Sequence, residues 1–215
     1  MTQSSPAVPS GSYRVGDSIS YGWNAFLKNI GPMILITLVI LAVQVLLNVV
    51  VGADAGVARV ILQLVAFIVG LILGMGLIRA SLAITDGVKP EVSMLAHTAG
   101  LGSYLVAAII FGIAVFVGLI LFIIPGIIVS LVFMFYGYTI VQNPSTSPID
   151  ALKRSAEITK GHRWQLLGLV VLLIIINVIG AILCGIGLLF TYGITAIAVA
   201  HAYKSLSGQP IAAIA

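Results

Sequence analysis

GSYLVAAIIFGIAVFVGLILFIIPGIIVSLVFMFYGYTIVQ, residues Gly102 to Gln142, runs for about 40 positions without an Asp, Glu, Lys or Arg. As one straight helix it would reach about 60 Å, twice the hydrocarbon thickness of a bilayer. It must therefore fold back on itself. Ile124-Pro125-Gly126 is the place in this stretch where a Pro, which cannot continue the preceding helix, is joined to a Gly, which tolerates a turn. Pro125 and Gly126 are thus the predicted reversal between two membrane spans.

The rest of the chain repeats this pattern. Of 215 residues, 60% are apolar and 7% charged, with a mean hydropathy of +1.22, whereas soluble domains carry roughly 25% charged residues. No water-facing surface can be made from so few charges. Thr98 to Ile149 and Trp164 to Tyr203 contain none at all. Met33 to Gly52 and Ala58 to about Ala80 are each long enough to cross, separated by a break at Ala53, Asp54 and Ala55. Gln165 to Leu206 must fold back like the first stretch, and Cys184-Gly185-Ile186-Gly187 is its most flexible point. Six spans result. With the amino terminus inside, Arg14, Lys28, Arg79, Lys89, Lys153, Arg154, Lys160, Arg163 and Lys204 fall on the cytoplasmic side and only Arg59 outside, as the positive-inside rule expects. Trp23, Trp164 and Tyr203 fall near the inner boundary, where amphipathic rings prefer to sit.

Each pair of spans is preceded by a short amphipathic segment. In Asp17 to Asn29, helical spacing groups Ile19, Trp23, Phe26, Leu27 and Ile30 on one side. In the third segment Ser147 is a cap, Pro148 suits the first helical position, Asp150 stands where a capping-box acid would, and Gly161 closes the end. Its apolar side is Ile149, Leu152 and Ala156, and Lys153 and Glu157 have the spacing of an ion pair. The middle segment, Pro90 to Thr98 with Val92, Leu95 and Ala96, is weaker. The expected fold is all-α: a polytopic membrane protein of six transmembrane helices in three hairpins, each led by an interfacial helix, with units beginning near 15, 86 and 148. Residues 1–14 read as a disordered Ser/Pro-rich tail without a signal-peptide pattern, 15–207 as the membrane domain and 208–215 as a C-terminal tail.

Ser147-Pro148, followed by Ala151-Leu152-Lys153-Arg154-Ser155-Ala156-Glu157-Ile158-Thr159-Lys160-Gly161-His162-Arg163-Trp164, resembles the signature of a broad family of poorly characterised bacterial membrane proteins. That family includes the membrane domain attached to some glycerophosphoryl diester phosphodiesterases. Ile124-Pro125-Gly126-Ile127-Ile128 and Ala202-Tyr203-Lys204-Ser205-Leu206 look like two further motifs of it, so the resemblance spans roughly residues 15 to 207. It implies a bacterial plasma-membrane location, and the charge placement puts both termini on the cytoplasmic side. It brings no catalytic role, because in the fusions the phosphodiesterase chemistry resides in a separate soluble barrel that this sequence lacks.

Lys153, Arg154, Lys160 and Arg163 form a candidate contact for anionic lipid, although positive-inside bias alone also predicts such a cluster. Gln44 and Asn48, one turn apart, face Gln63 as a candidate intramembrane polar cluster to which Asn177 is a further candidate, either packing contacts or a polar path. Gly70 and Gly74 form a Gly-x-x-x-Gly face, extended by Gly76 and Ser81, suited to close helix packing. His201 lies one turn before Lys204 at a span boundary and reads as structural. The three histidines have no companion ligands at metal spacing, and Cys184 is the single cysteine, so neither a metal site nor an internal disulfide is expected. The net charge of +4 lacks the basic, aromatic-interleaved patch of a nucleic-acid binder. No catalytic constellation and no cofactor motif is present. The expectation is a non-enzymatic membrane protein acting through lipid or protein contacts, as an accessory or scaffold component of a larger assembly. The alternative is a subunit of a small-solute or lipid transporter or channel.

Overall fold

The computed structural model describes residues 13–53, 56–182 and 186–214. The helices are α1 (Val15–Lys28), α2 (Ile30–Ala53), α3 (Val57–Thr85), α4 (Leu101–Leu121), α5 (Ile123–Phe133), α6 (Tyr136–Gln142), α7 (Pro148–Thr159), α8 (Arg163–Ile182) and α9 (Ile186–Leu206), with a 3-10 turn at Val92–Ala96. Among the described residues, five helical segments are long and apolar enough to cross a membrane: α2, α3, α4, the joined α5–α6 and α8. The protein is all-α and a candidate multi-pass membrane protein. The segment expected as the sixth span forms α9, whose second half is the buried centre of the bundle, with Ile194, Ile197, Ala198, Ala200 and Ala202 out of contact with surroundings.

Most of the packing lies toward one end, here called basal. Buried residues fall in the first part of α2 (Met33, Ile36, Ile40), the second half of α3 (Leu73 to Thr85), the start of α8 (Leu166, Leu169, Leu173) and the second half of α9. At the opposite, distal ends Val45, Leu46, Val49, Ile61, Leu64, Phe116, Ile120 and Ile179 are all exposed, as lipid-facing side chains are.

Small residues decide which helices meet. On α1 the buried stripe is Ser18, Gly22, Ala25 and Phe26; of the apolar set read from the sequence, Phe26 is buried and Ile19 partly so. Trp23, Leu27 and Ile30 point outward. The reason is distance: a β-carbon on Gly22 would stand 2.9 Å from the Ile194 carbonyl oxygen, so only the small-residue face can approach α9 this closely. Across the same contact, Gly193 accommodates the Phe26 ring.

The reversal between α4 and α5 falls at Phe122, whose backbone is extended, three residues before the expected Pro125. Pro125 and Gly126 lie inside the first turn of α5. Proline is welcome there because an amide missing from a first turn has no helical partner to lose. Gly126 does serve the reversal, because it packs on Leu119 and opposes Gly118, where a β-carbon would come 2.9 Å from Gly126 Cα. The Cys184-Gly185 hinge lies outside the described residues, as do residues 1–12 of the expected N-terminal tail. Tyr13, the first described residue of that tail, is buried and bonded to Ser18 (3.0 Å).

Helix α7 is capped as its sequence indicates: Ser147 Oγ accepts the Asp150 amide (3.2 Å), Pro148 opens the helix and Gly161 follows it with φ +86°. Its buried face, however, is Ala151, Leu152, Ser155, Ile158 and Thr159, and Ile149 is exposed. The rotation has a polar cause. Between α5 and α6 the helical hydrogen bonding is interrupted, and Ser155 fills the gap by donating to the Val132 carbonyl (2.9 Å) and accepting from the Phe135 amide (3.0 Å). Thr159 adds a second bond to Val132 (3.3 Å).

The 3-10 turn sits on Gly76, where a β-carbon would lie 2.5 Å from Leu95 Cα, while the space beside Gly70 is open and Gly74 only approaches the Tyr104 hydroxyl. The tight glycine of α3 is therefore Gly76, not the expected pair Gly70 and Gly74. Gly76→Ala is expected to lower stability by about 1–3 kcal/mol through overpacking against backbone, despite the better helix propensity of Ala. Gly70→Ala should leave stability unchanged or slightly raised. Detergent-denaturation curves followed by circular dichroism distinguish the two.

Candidate functional site

A polar network occupies the basal end, and it begins at two helix termini. Asp86 is the C-cap of α3, where a carboxylate opposes the negative end of the helix dipole. Lys204 lies in the last turn of α9, where a cation is favourable. The fold brings them together: Lys204 is 2% exposed and its ammonium forms an ion pair with Asp86, itself 54% exposed, and donates to the Pro210 carbonyl (3.3 Å). A cation at this depth needs both partners, because removing it from water is costly.

The C-terminal segment expected as a tail is docked over this pair. The Ala212 amide donates to the Thr85 carbonyl (2.9 Å), and the Tyr21 hydroxyl of α1 donates to the Ala212 carbonyl (3.1 Å). Burial and, second, the Asp86 charge push the Tyr21 phenol up to about 12, so it stays a donor throughout the neutral range. The carboxamides of Gln142 and Gln209 bond each other (2.7 and 3.0 Å), and Tyr203 donates to Gln142 (2.7 Å). Farther along α9, His201 Nδ1 shares a 3.0 Å hydrogen bond with Ser18, whose hydroxyl also meets Tyr13, and the Tyr21 ring lies over His201 with centroids 4.5 Å apart. His201 is thus fixed against α1 by one hydrogen bond and one ring contact. The network ties α1, α3, α6, α9 and the C-terminal segment into one unit.

Two recesses flank it. A groove of about 520 Å³ is lined by Arg79, Asp86, Met94, His97 and Gln142. The Arg79 guanidinium is committed to the carbonyls of His97 and Ala99 (2.8 Å to the latter), which pins the segment after the 3-10 turn to α3. A smaller pocket of about 230 Å³ lies between Tyr21, Lys28, Lys89 and Ala212.

The residues singled out from sequence are distributed differently. Lys153, Arg154, Lys160 and Arg163 are all exposed, at the surface of α7 and the start of α8, beside Trp164, which is 83% exposed. Glu157 pairs with Arg154 (3.2 Å) and not with Lys153; i,i+3 and i,i+4 neighbours are both within reach on a helix, and here the i,i+3 pair forms. The amide cluster does not form. Gln44, Asn48 and Gln63 are exposed, and among the described residues no hydrogen bond joins Gln63 to the other two; Asn48 instead donates to the Gln44 carbonyl (2.8 Å). Asn177 is apart from them, bonding Thr195 of α9 (2.7 Å) and the Leu173 carbonyl (2.8 Å) beside an apolar groove between α8 and α9. Gln44, Asn48 and Gln63 stay on the outer surface of the α2–α3 hairpin, away from Asn177. Among the described residues no group of three His, Cys, Asp or Glu is placed to hold a metal ion.

Sequence reading missed the Lys204–Asp86 pair and the Ser155 bridge. The signal for the first was present, since Lys204 ends a run of 40 residues, Trp164 to Tyr203, that carries no charge. A charge at such a boundary either reaches water or takes a partner.

An apolar bundle of long helices gathered on a polar basal network defines, by length and composition, a candidate multi-pass membrane protein. Residues 101–209, half of the chain, match the family described as "Protein of unknown function (DUF975)", and the chain belongs to that family. It is similar to an uncharacterized protein of Mycobacterium tuberculosis and to one of Mycobacterium bovis, each 28% identical over 239 residues that cover 95% of this chain and 72% of the relative. No solved structure matches the chain.

Asp86→Asn should destabilise the fold by about 1–3 kcal/mol, less than the 3–5 kcal/mol of a fully buried pair because water screens the half-exposed carboxylate. Adding Lys204→Met should restore part of the loss by removing the stranded cation. Unfolding curves, with limited proteolysis of the C-terminal segment as a second readout, check both outcomes.

Proposed function

We propose that this chain is a six-span protein of the bacterial plasma membrane, three hairpins with both termini on the cytoplasmic side, and that it works without catalysis as an accessory or scaffold component by gathering anionic lipid and partner proteins on that face. The observation carrying the proposal is the basal surface. Helix α7 is docked by its Ser155 face, and its opposite face, together with the start of α8, exposes Lys153, Arg154, Lys160 and Arg163 next to Trp164. An indole and several cations at one level suit the headgroup layer, where each cation contributes about 1 kcal/mol beside anionic lipid. The outward Trp23 and Leu27 of α1 and Ile30 at the start of α2 suit the same layer. The placement of basic residues along the chain supports the orientation, and the basal clustering of α1, α7 and the C-terminal segment agrees with it.

The resemblance to the membrane domain of glycerophosphoryl diester phosphodiesterase fusions fits a module that holds other machinery at a membrane. The alternative, a transporter or channel subunit, draws no support from Gln44, Asn48 and Gln63, which lie on the outside of the bundle and not along an interior path.

Native mass spectra of the purified chain should retain cardiolipin or phosphatidylglycerol. The variant Lys153→Gln, Arg154→Gln, Lys160→Gln, Arg163→Gln should lose at least tenfold of that lipid, with its helicity intact. Equal retention by both proteins would refute the lipid-gathering role.

A further inference from the structure

The α2–α3 hairpin carries three carboxamides where hydrocarbon should surround it. Counting about 1.5 Å per residue from the ends of the two helices, Asn48 lies about 8 Å, Gln63 about 9 Å and Gln44 about 13 Å below the tip. All three therefore lie deeper than Arg59, which is about 3 Å below the tip. All three are exposed, and among the described residues the side-chain amides of Gln44 and Gln63 make no hydrogen bond, while Asn48 uses one donor on the Gln44 carbonyl. Lipid tails offer them nothing in return, so an unpaired amide there is strongly disfavoured.

The three also share a side. In the distal half the less exposed stripe of α2 is Val43, Leu47 and Val51, and that of α3 is Leu62, Ala66 and Val69, consistent with the two helices turning these positions toward each other. Helix α2 advances toward the tip and α3 away from it. Gln44 follows Val43, Asn48 follows Leu47 and Gln63 follows Leu62, each one step of 100° past its stripe. In antiparallel helices the same step on each carries residues to the same side of the hairpin. Phe67, which follows Ala66, joins them, and Arg59 lies on this side near the tip, level with the headgroups.

The geometry points to this side of the α2–α3 hairpin as the docking surface for a second copy of the same chain, through Gln44, Asn48 and Gln63. A carboxamide is donor and acceptor at once, so a face of amides is complementary to itself, as a two-fold interface requires. A two-fold axis along the membrane normal brings together residues of equal depth, and Asn48 and Gln63 lie within about 2 Å of one level by the same helical rise. Interhelical amide bonds are a recognised adhesive between membrane helices. The inference rests on the membrane-spanning reading, but not on lipid gathering at the basal face.

The test uses the full chain, labelled at its amino terminus, in phosphatidylcholine–phosphatidylglycerol vesicles, with single-molecule photobleaching steps counted as protein is diluted into lipid. The wild type should show two steps at dilutions where Gln44→Leu, Asn48→Leu, Gln63→Leu shows one, a dissociation constant at least tenfold weaker. The control Leu46→Ala, Val65→Ala, on the opposite side, should associate as the wild type does. Circular dichroism keeps the comparison fair, and leucine in place of a lipid-facing amide is not expected to unfold the helices. One step for the wild type at every dilution, or equal association by the triple-leucine variant, overturns the proposal. So does a photo-crosslinking residue at Phe67 that captures a different membrane protein in cells while the wild type stays monomeric in vesicles. In a Cys184→Ser background, labelling of Val49→Cys by a membrane-impermeant maleimide would instead place the hairpin in water and bring down the membrane reading with it.

Discussion

The arrangement depends on how closely backbones approach α9. Lipid tails are as apolar as leucine, so no hydrophobic drive gathers helices inside a bilayer, and packing must come from surfaces that fit. Helix α9 supplies such a surface at Gly193, the Ile194 backbone and Ala198, and α1 answers with Phe26 and Gly22. Once α1 lies against α9, the remaining polar contacts fall within reach: Ser18 meets His201, and Tyr21 meets the C-terminal segment. A larger side chain at Gly22 would hold the two helices apart and separate those pairs together. The same principle closes the hairpins, since Gly118 opposes Gly126 and Gly180 opposes Gly187 across their respective reversals.

Much of the architecture could be read from the chain because hydropathy and charge report directly on solvent. A run of 40 residues without charge has few places to go, and the segments expected as interfacial helices became α1, the 3-10 turn and α7. What the sequence concealed was direction around each helix axis. Trp23 and Ile149 look like core residues by size, yet in a membrane protein large apolar groups are equally at home facing out, while Ser155 and Thr159 belong inside. Hydrophobic periodicity therefore locates the helices and misreads which side is buried. The Gly70–Gly74 spacing misled for a related reason: spacing marks a face open to close approach but cannot say whether a neighbour occupies it, and the neighbour sits at Gly76.

Long-range pairs were equally hidden. Lys204 and Asp86 are 118 residues apart, and Gln142 and Gln209 are 67 apart. Each is an unremarkable boundary residue when taken alone. Their convergence gives the matched region, residues 101–209, a physical dependence on what precedes it, since Asp86 and Thr85 of α3 and Tyr21 of α1 hold its last helix and the segment that follows. The relatives align over nearly all of this chain, in keeping with a unit that folds as one.

Ser155 gives this fold a mechanical property. It serves two backbone atoms of the joint between α5 and α6, so α7 cannot slide or roll without breaking hydrogen bonds in a place that water does not easily reach. The surface helix and the jointed segment beneath it are thereby latched together, and the hydrogen bonds that anchor α7 fall at the joint itself.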